Sequence, residues 1–217
     1  MRAHSLTAVE STESLPPPLS PDAPPALSSS AQPSPDAPPA LSSSAQPSPD
    51  ASPALSSSAQ PALSPSAQRV QDALRALGFA YEVTESPQAT RTAAEAARAV
   101  GCEVGQIAKS LVFKTAQSGR GVLVIASGAN KVNEWRIGVV LKEALEKAPA
   151  AFVREHAGFT IGGVPPVGHA RPLETFIDED LLGHETIWAA AGTPNALFRL
   201  APADLVKMTG GRIIKVK

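Results

Sequence analysis

A 14-residue unit near the front of the chain decides where folding can begin. Pro21-Asp22-Ala23-Pro24-Pro25-Ala26-Leu27-Ser28-Ser29-Ser30-Ala31-Gln32-Pro33-Ser34 recurs unchanged from Pro35 to Ser48, and again in altered form from Pro49. Each unit offers one Leu and no other large apolar side chain, so stacked units would bury almost nothing and no solenoid forms. Such a segment cannot offset its own ordering entropy. Residues 1–65 are therefore expected to be a disordered tail with polyproline II bias. Fifteen of the 22 prolines lie in it, and the remaining seven are a normal load for a folded domain. Pro61 to Gln68 resembles the repeat unit, so the tail reads as a tandem duplication of the stretch where the domain starts.

Folding is left to residues 66–217, enough for one domain with a sizeable core. Of 19 basic and 20 acidic residues in the whole chain, one and five precede Ser66, which leaves 18 against 15 and a net charge of +3. A mildly basic domain permits contact with nucleic acid without arguing strongly for it. The single cysteine, Cys102, excludes an intramolecular disulfide and a cysteine-based zinc cage. No apolar run is long enough to span a bilayer, and the start lacks the basic-then-apolar pattern of a secretory signal. A cytoplasmic location, with no membrane partner, is the expectation.

Hydrophobic spacing predicts the elements in order. Val70, Ala73, Leu74 and Leu77 mark a first helix capped by Ser66 and ended by Gly78. Phe79–Val83 reads as a short strand. Thr92 and Glu95 form a capping box for a second helix that Gly101 stops. Val104–Ala108 is one helical turn, and Lys109–Thr115 and Gly121–Ala126 are strands. Ser127 to Asn130 is a turn. Asn133–Glu146 is read as a helix, in one piece or two around Gly138, and a short helix follows near Pro149–His156. Thr175–Ile177, Thr186–Ala190, Ala196–Leu200 and Arg212–Val216 are strands, with a last helix from Pro202 to Gly210. Hairpins and helices are interspersed, which argues an α+β fold with a mixed sheet and against a doubly wound parallel one.

Two stretches could carry chemistry. Ile161-Gly162-Gly163-Val164-Pro165-Pro166-Val167-Gly168-His169 packs three glycines and two prolines into nine residues. It should be stiff, and it could offer fixed N–H groups to an anionic or carbonyl oxygen; a tight structural connection is the plainer alternative. In Lys109-Ser110-Leu111-Val112-Phe113 the lysine shares a strand face with Leu111 and Phe113. It is either a snorkelling surface residue or a cation at a pocket rim. The glycines of a phosphate-binding P-loop would fall at Glu103 and Ala108, so that motif is excluded. His169 closes the rigid loop as a base, a hydrogen-bond partner or a surface residue. His156 and His184 have no third group at metal-ligand spacing, and neither a metal nor an organic cofactor is expected. Ser127-Gly128, Gly162-Gly163 with Gly168, and Gly192-Thr193-Pro194 would meet at one rim if their strands are neighbours.

The lysine strand and the glycine-proline loop, in this order, resemble the YbaK family of aminoacyl-tRNA deacylases, similar to the editing domain of bacterial prolyl-tRNA synthetases. Thr90-Arg91-Thr92, Ser127-Gly128 and Ala190-Ala191-Gly192-Thr193 join the likeness, which covers Ser66 to Lys217. The resemblance implies a mixed sheet or barrel wrapped by helices, the 3′ end of an aminoacyl-tRNA as partner, and an aminoacyl-tRNA synthetase as a second candidate partner. It implies that Lys109 positions and neutralises the substrate, and that Gly162 and Gly163 shape a backbone cradle at the reacting ester. Ser127, Gly128, Val164, Pro165, Pro166, Gly168, His169, Gly192 and Thr193 would bind substrate, and Arg91, Arg212 and Lys215 would contact tRNA. An aminoacyl ester is already activated, so a placed water and an oxyanion donor suffice. The implied reaction is trans-editing hydrolysis of a small misplaced residue such as alanine, serine or cysteine. The rival readings are a non-catalytic module binding an aminoacylated or nucleotide 3′ end, and a Schiff-base enzyme using Lys109.

Overall fold

The computed structural model describes residues 62–88, 90 and 92–217; the repeats of the tail and Arg91 lie outside this range. Five α-helices and eight strands follow one another as α1 (Pro65–Ala76), β1 (Val83–Glu85), α2 (Ala93–Val100), β2 (Ile107–Thr115), β3 (Gly121–Ser127), α3 (Glu134–Leu141), β4 (Leu145–Lys147), α4 (Ala150–Ala157), β5 (Glu174–Asp178), β6 (Ile187–Ala190), β7 (Ala196–Leu200), α5 (Pro202–Thr209) and β8 (Arg212–Ile214). Single 3-10 turns occupy Val104–Gln106 and Glu179–Gly183. The strands form one mixed sheet of order β1-β7-β6-β2-β3-β5-β8, with β4 on β2. The α+β expectation holds. Three pairings are parallel, β2 with β6, β3 with β5 and β5 with β8.

β3 explains the layering. Every one of its residues is buried, as expected of a Val/Leu/Ile strand with both faces covered. Leu123 and Ile125 point into the main core with Val70 and Leu74 of α1, Val153 of α4 and Leu205 of α5. Val122, Val124 and Ala126 point the other way, into a second core with Ile137 of α3, Phe176 and Val216. A smaller cluster seats Ala96 and Ala97 of α2 on Ile107 and Leu197.

Three local expectations are corrected. α1 is capped by Ser64, not Ser66, with Pro65 at its first turn, where the missing N–H costs nothing. Its buried positions are Ala67, Val70, Gln71 and Leu74, while Leu77 is 49 % exposed. The buried Gln71 donates through Nε2 to Tyr81 O and accepts through Oε1 from Val83 N, both at 2.9 Å. The backbone there bonds to this side chain, so the strand starts at Val83, later than the apolar run suggested. Finally, the helix from Asn133 ends at Leu141. Lys142 turns left-handed at φ 57°, and Glu143 N–H returns to Gly138 O at 3.0 Å, a Schellman-type stop. The residues beyond it become β4.

Candidate active site

β2 is covered on one edge by β3 along its length, but on the other edge only at its ends. β6 pairs Ile107 and Ala108, and β4 pairs Phe113 to Thr115. Backbone bonds fix which residues face the gap. Ile107 O accepts from Gly128 N at 2.7 Å and Thr115 N donates to Arg120 O at 3.0 Å, so odd-numbered residues turn toward β3. Ala116 N donates to Ala144 O on the β4 side at 2.9 Å. By the alternation of an antiparallel ladder, Ser110 and Val112 aim their N–H and C=O groups at an edge with no strand on it.

A cavity of about 590 Å³ opens along this edge, within the range of small-molecule sites. Its walls are mostly apolar, from Ala108, Val112, Val153, Val164 and Leu197, with Lys109, Lys131 and Lys147 among its charged groups. Lys109, Gly162, Val164 and Thr193, all singled out from the sequence, line it.

Lys109 is seated by the turn after β3. Its Nζ donates to Asn130 O at 2.7 Å and Gly128 O at 3.2 Å, which leaves one of its three N–H donors free. Burial pulls its pKa below the usual lysine value, against the opposing charge of Asp178. The turn itself is clamped from below. Fully buried Asp178 accepts from Ser127 N at 3.0 Å and from Asn130 Nδ2 at 2.7 Å. Gly128 is required by space, since a Cβ there would stand 2.1 Å from Val104 O. Ser127 and Gly128 therefore build the lysine's seat and do not themselves line the cavity.

The glycine-proline loop forms the opposite wall. Gly163 N donates to Thr160 O at 3.0 Å, closing a turn with Gly162 at φ 91° in its third position. Gly163 O accepts from Gly192 N at 2.9 Å, and a Cβ on Gly163 would meet Thr193 Cα at 2.7 Å. Two of the three glycine turns thus touch directly. Both backbone groups of Gly163 are used inside the protein, so its place is structural, and Gly162 is the glycine of the pair that faces the cavity. Thr193 Oγ1 donates to Glu85 Oε1 at 2.9 Å. Glu85 is opposed by burial, but the donors from Ser64 and Thr193 hold its pKa below the usual carboxylate value.

The other sequence candidates stand apart from the cavity. Pro165 and Pro166 are buried under the loop. His169 Nε2 lies 2.8 Å from Pro165 O and so carries the proton and donates. Burial lowers its pKa, and the bond to Pro165 O partly offsets that shift. It braces its own loop and, like Gly168 and Gly192, does not line the cavity. Arg212 is exposed, its guanidinium 5.5 Å from the Phe176 ring centre, and Lys215 is exposed beyond β8. Among the described residues no group of His, Cys, Asp or Glu assembles to hold a metal, and no helix is long and apolar enough to cross a membrane.

Sequence reasoning passed over Ser110, Val112, Asn130 and Asp178. Asn130 was visible as the end of a turn, and Asp178 as the start of Asp178-Glu179-Asp180. Nothing in the spacing announced that the two would meet under Lys109.

Known proteins share this fold. The profile of the aminoacyl-tRNA editing domain matches residues 87–208. A solved protein provisionally named a trans-editing enzyme for prolyl tRNA synthetase is 50 % identical, with a TM-score of 0.69 over 72 % of this chain and 99 % of its own. A scaffold from computational epitope grafting is 48 % identical, with a TM-score of 0.69 over 71 % of this chain and 99 % of its own. The uncharacterized protein YwhH of Bacillus subtilis (strain 168) is 28 % identical over 132 residues, 61 % of this chain and 83 % of its own. With more than half of its length matched and a near-complete structural counterpart, the chain belongs to the aminoacyl-tRNA editing domain family.

Proposed function

We propose that this protein hydrolyses, in trans, the ester bond of a mischarged aminoacyl-tRNA carrying a small residue such as alanine, serine or cysteine. The observation that carries the reading is the seating of Lys109. It is a cation held by two carbonyls at an apolar cavity, with one donor left for substrate. An ammonium so placed suits a phosphate or a carbonyl oxygen that gains charge. Water adds to the ester carbonyl, the bond to the ribose oxygen breaks, and that oxygen leaves with a proton as the hydroxyl of the tRNA end. No covalent nucleophile is needed. Lys131 and Lys147 at the same cavity suit the phosphates of a nucleic acid end.

The test is hydrolysis of alanyl-, seryl- and cysteinyl-tRNA by the full chain, wild type beside Lys109→Ala. Turnover that falls by about 10²-fold or more in the variant supports the reading. Undiminished turnover overturns the role of Lys109, and wild-type inactivity on all three esters overturns the reaction.

The rival is a non-catalytic module for an aminoacylated end. The observation favouring it is that, among the described residues, no histidine and, apart from Glu134, no carboxylate lines the cavity. Tight binding of the esters without turnover would favour that reading.

A further inference from the structure

Ser110 Oγ is buried without a hydrogen-bond partner, the one such side-chain atom found among the described residues. It sits on the open edge of β2, where the main-chain groups of Ser110 and Val112 also lack a strand partner. Buried polar groups are almost always satisfied in folded proteins, so a buried hydroxyl without a partner, beside main-chain groups that no strand pairs, points to a ligand. Ala108 and Val112 on the same face of β2 as Ser110, and Val153 and Val164 of the same cavity, have no side-chain hydrogen-bonding group to offer.

Strand alternation decides what that ligand group is. Ala108 and Val112 contribute to the main core, whereas Leu111 and Phe113 contribute to the core on the other face. Ser110 therefore projects from the face opposite Lys109. Lys109 attracts an oxygen that carries negative charge and repels a cation. An ammonium entering the cavity is driven to the other face, where Ser110 Oγ and Ser110 O are acceptors without donors. An α-aminoacyl ester carries both ends, an electronegative ester and an ammonium on the carbon next to its carbonyl.

We propose that the Ser110 hydroxyl and carbonyl, on the unpaired edge of β2, bind the α-ammonium of the aminoacyl group while Lys109 holds the ester end. The proposal rests on the ester-hydrolysis reading and goes beyond it. The enzyme would read the charged amine of its substrate, so an ester with an α-hydroxyl in that place would keep only a weaker, neutral hydrogen bond there.

The experiment takes whichever of alanyl-, seryl- or cysteinyl-tRNA the wild type hydrolyses, together with the matching ester bearing an α-hydroxyl. Each is assayed with wild type, Ser110→Ala and Ser110→Thr, with spontaneous hydrolysis subtracted. Ser110→Ala should slow the amino ester by about 10- to 100-fold, the worth of a hydrogen bond to a charged group, and should slow the hydroxy ester clearly less, since only a neutral hydrogen bond is lost there. Ser110→Thr keeps a hydroxyl and should restore most of the amino-ester rate. The melting temperature of Ser110→Ala should not fall, since the change removes an unsatisfied polar group. Equal slowing of both esters, or slowing of neither, overturns the proposal and leaves ester hydrolysis standing. Slowing confined to seryl-tRNA also overturns it, because the hydroxyl would then read the substrate side chain. Wild-type inactivity on every ester overturns both readings together.

Discussion

Asn130 links Lys109 to Asp178: its main-chain carbonyl accepts from Lys109 Nζ at 2.7 Å, and its side-chain Nδ2 donates to Asp178 Oδ2 at 2.7 Å. The same Nδ2 donates to Asp180 at 2.8 Å, and Asp180 pairs with Lys217. The cation at the cavity is thus held by a chain of contacts that runs down to the C-terminal residue.

That link predicts the effect of Asn130→Ala. The carbonyl that binds Lys109 survives, but the two carboxylates lose their shared donor. Stability should drop by about 1–3 kcal/mol, the cost of leaving a buried acceptor underbonded. Hydrolysis should drop as well, because the turn carrying the carbonyl is no longer fixed. Chemical denaturation and single-turnover rates measured on one preparation check this. Full activity alongside reduced stability would make Asn130 a purely structural residue.

The state of Lys109 sets a pH dependence. Burial lowers its pKa, so the charged form should be lost, and enzymatic hydrolysis should decline, on an alkaline limb below the ordinary lysine range. Stability moves in the opposite sense. The unfolded lysine holds its proton to higher pH than the folded one, so this group makes the fold relatively more stable as pH rises between the two values. Lys109→Arg, whose guanidinium does not titrate in this range, should lose the alkaline limb even if its rate is lower. The check is a rate profile with spontaneous hydrolysis subtracted; an unchanged limb in Lys109→Arg would assign it to another group.

His169→Ala should cost far less activity than Lys109→Ala. The ring's Nε2 is bonded to Pro165 O within its own loop, and burial shifts its pKa down, away from the charged form. The expected loss is about 0.5–1.5 kcal/mol of stability, one neutral hydrogen bond, with a modest change in rate. A rate loss equal to that of Lys109→Ala would place the imidazole at the reaction.

What could be read in the sequence follows from the range of the forces involved. The capping of α2 by Thr92 and the stop at Gly101 are local, and both occur as spaced. The buried strand β3 announced itself by composition. Lys109 was singled out by the strand face it shares with Leu111 and Phe113 and by the family resemblance, although the strand opens two residues earlier than expected, at Ile107. The open edge of β2 was not visible, because it depends on β4 and β6 stopping short on either side of Ser110 and Val112, and Leu145–Lys147 reads as the tail of a helix. Gly163 looked like a donor to substrate, but a glycine selected because a Cβ there would stand 2.7 Å from Thr193 Cα has the same letter as one that exposes its backbone.

The last prediction concerns how the nucleic acid end is held. Lys131 and Lys147 line the cavity, whereas Arg212 and Lys215 lie at the β8 end of the sheet path. Near them Lys217 is already paired with Asp180, which weakens any positive field there. Binding of aminoacyl-tRNA should weaken as salt rises, because each phosphate contact releases counterions. Replacing Lys131 and Lys147 by alanine should flatten the plot of log affinity against log salt by roughly one unit per lost contact, or somewhat less on a single strand. Replacing Arg212 and Lys215 should flatten it less. Binding at a series of salt concentrations, with both double variants side by side, decides the matter. A larger change from Arg212 and Lys215 would move the acceptor stem to the β8 edge, and a flat wild-type response would mean that shape and stacking, not charge, hold the end.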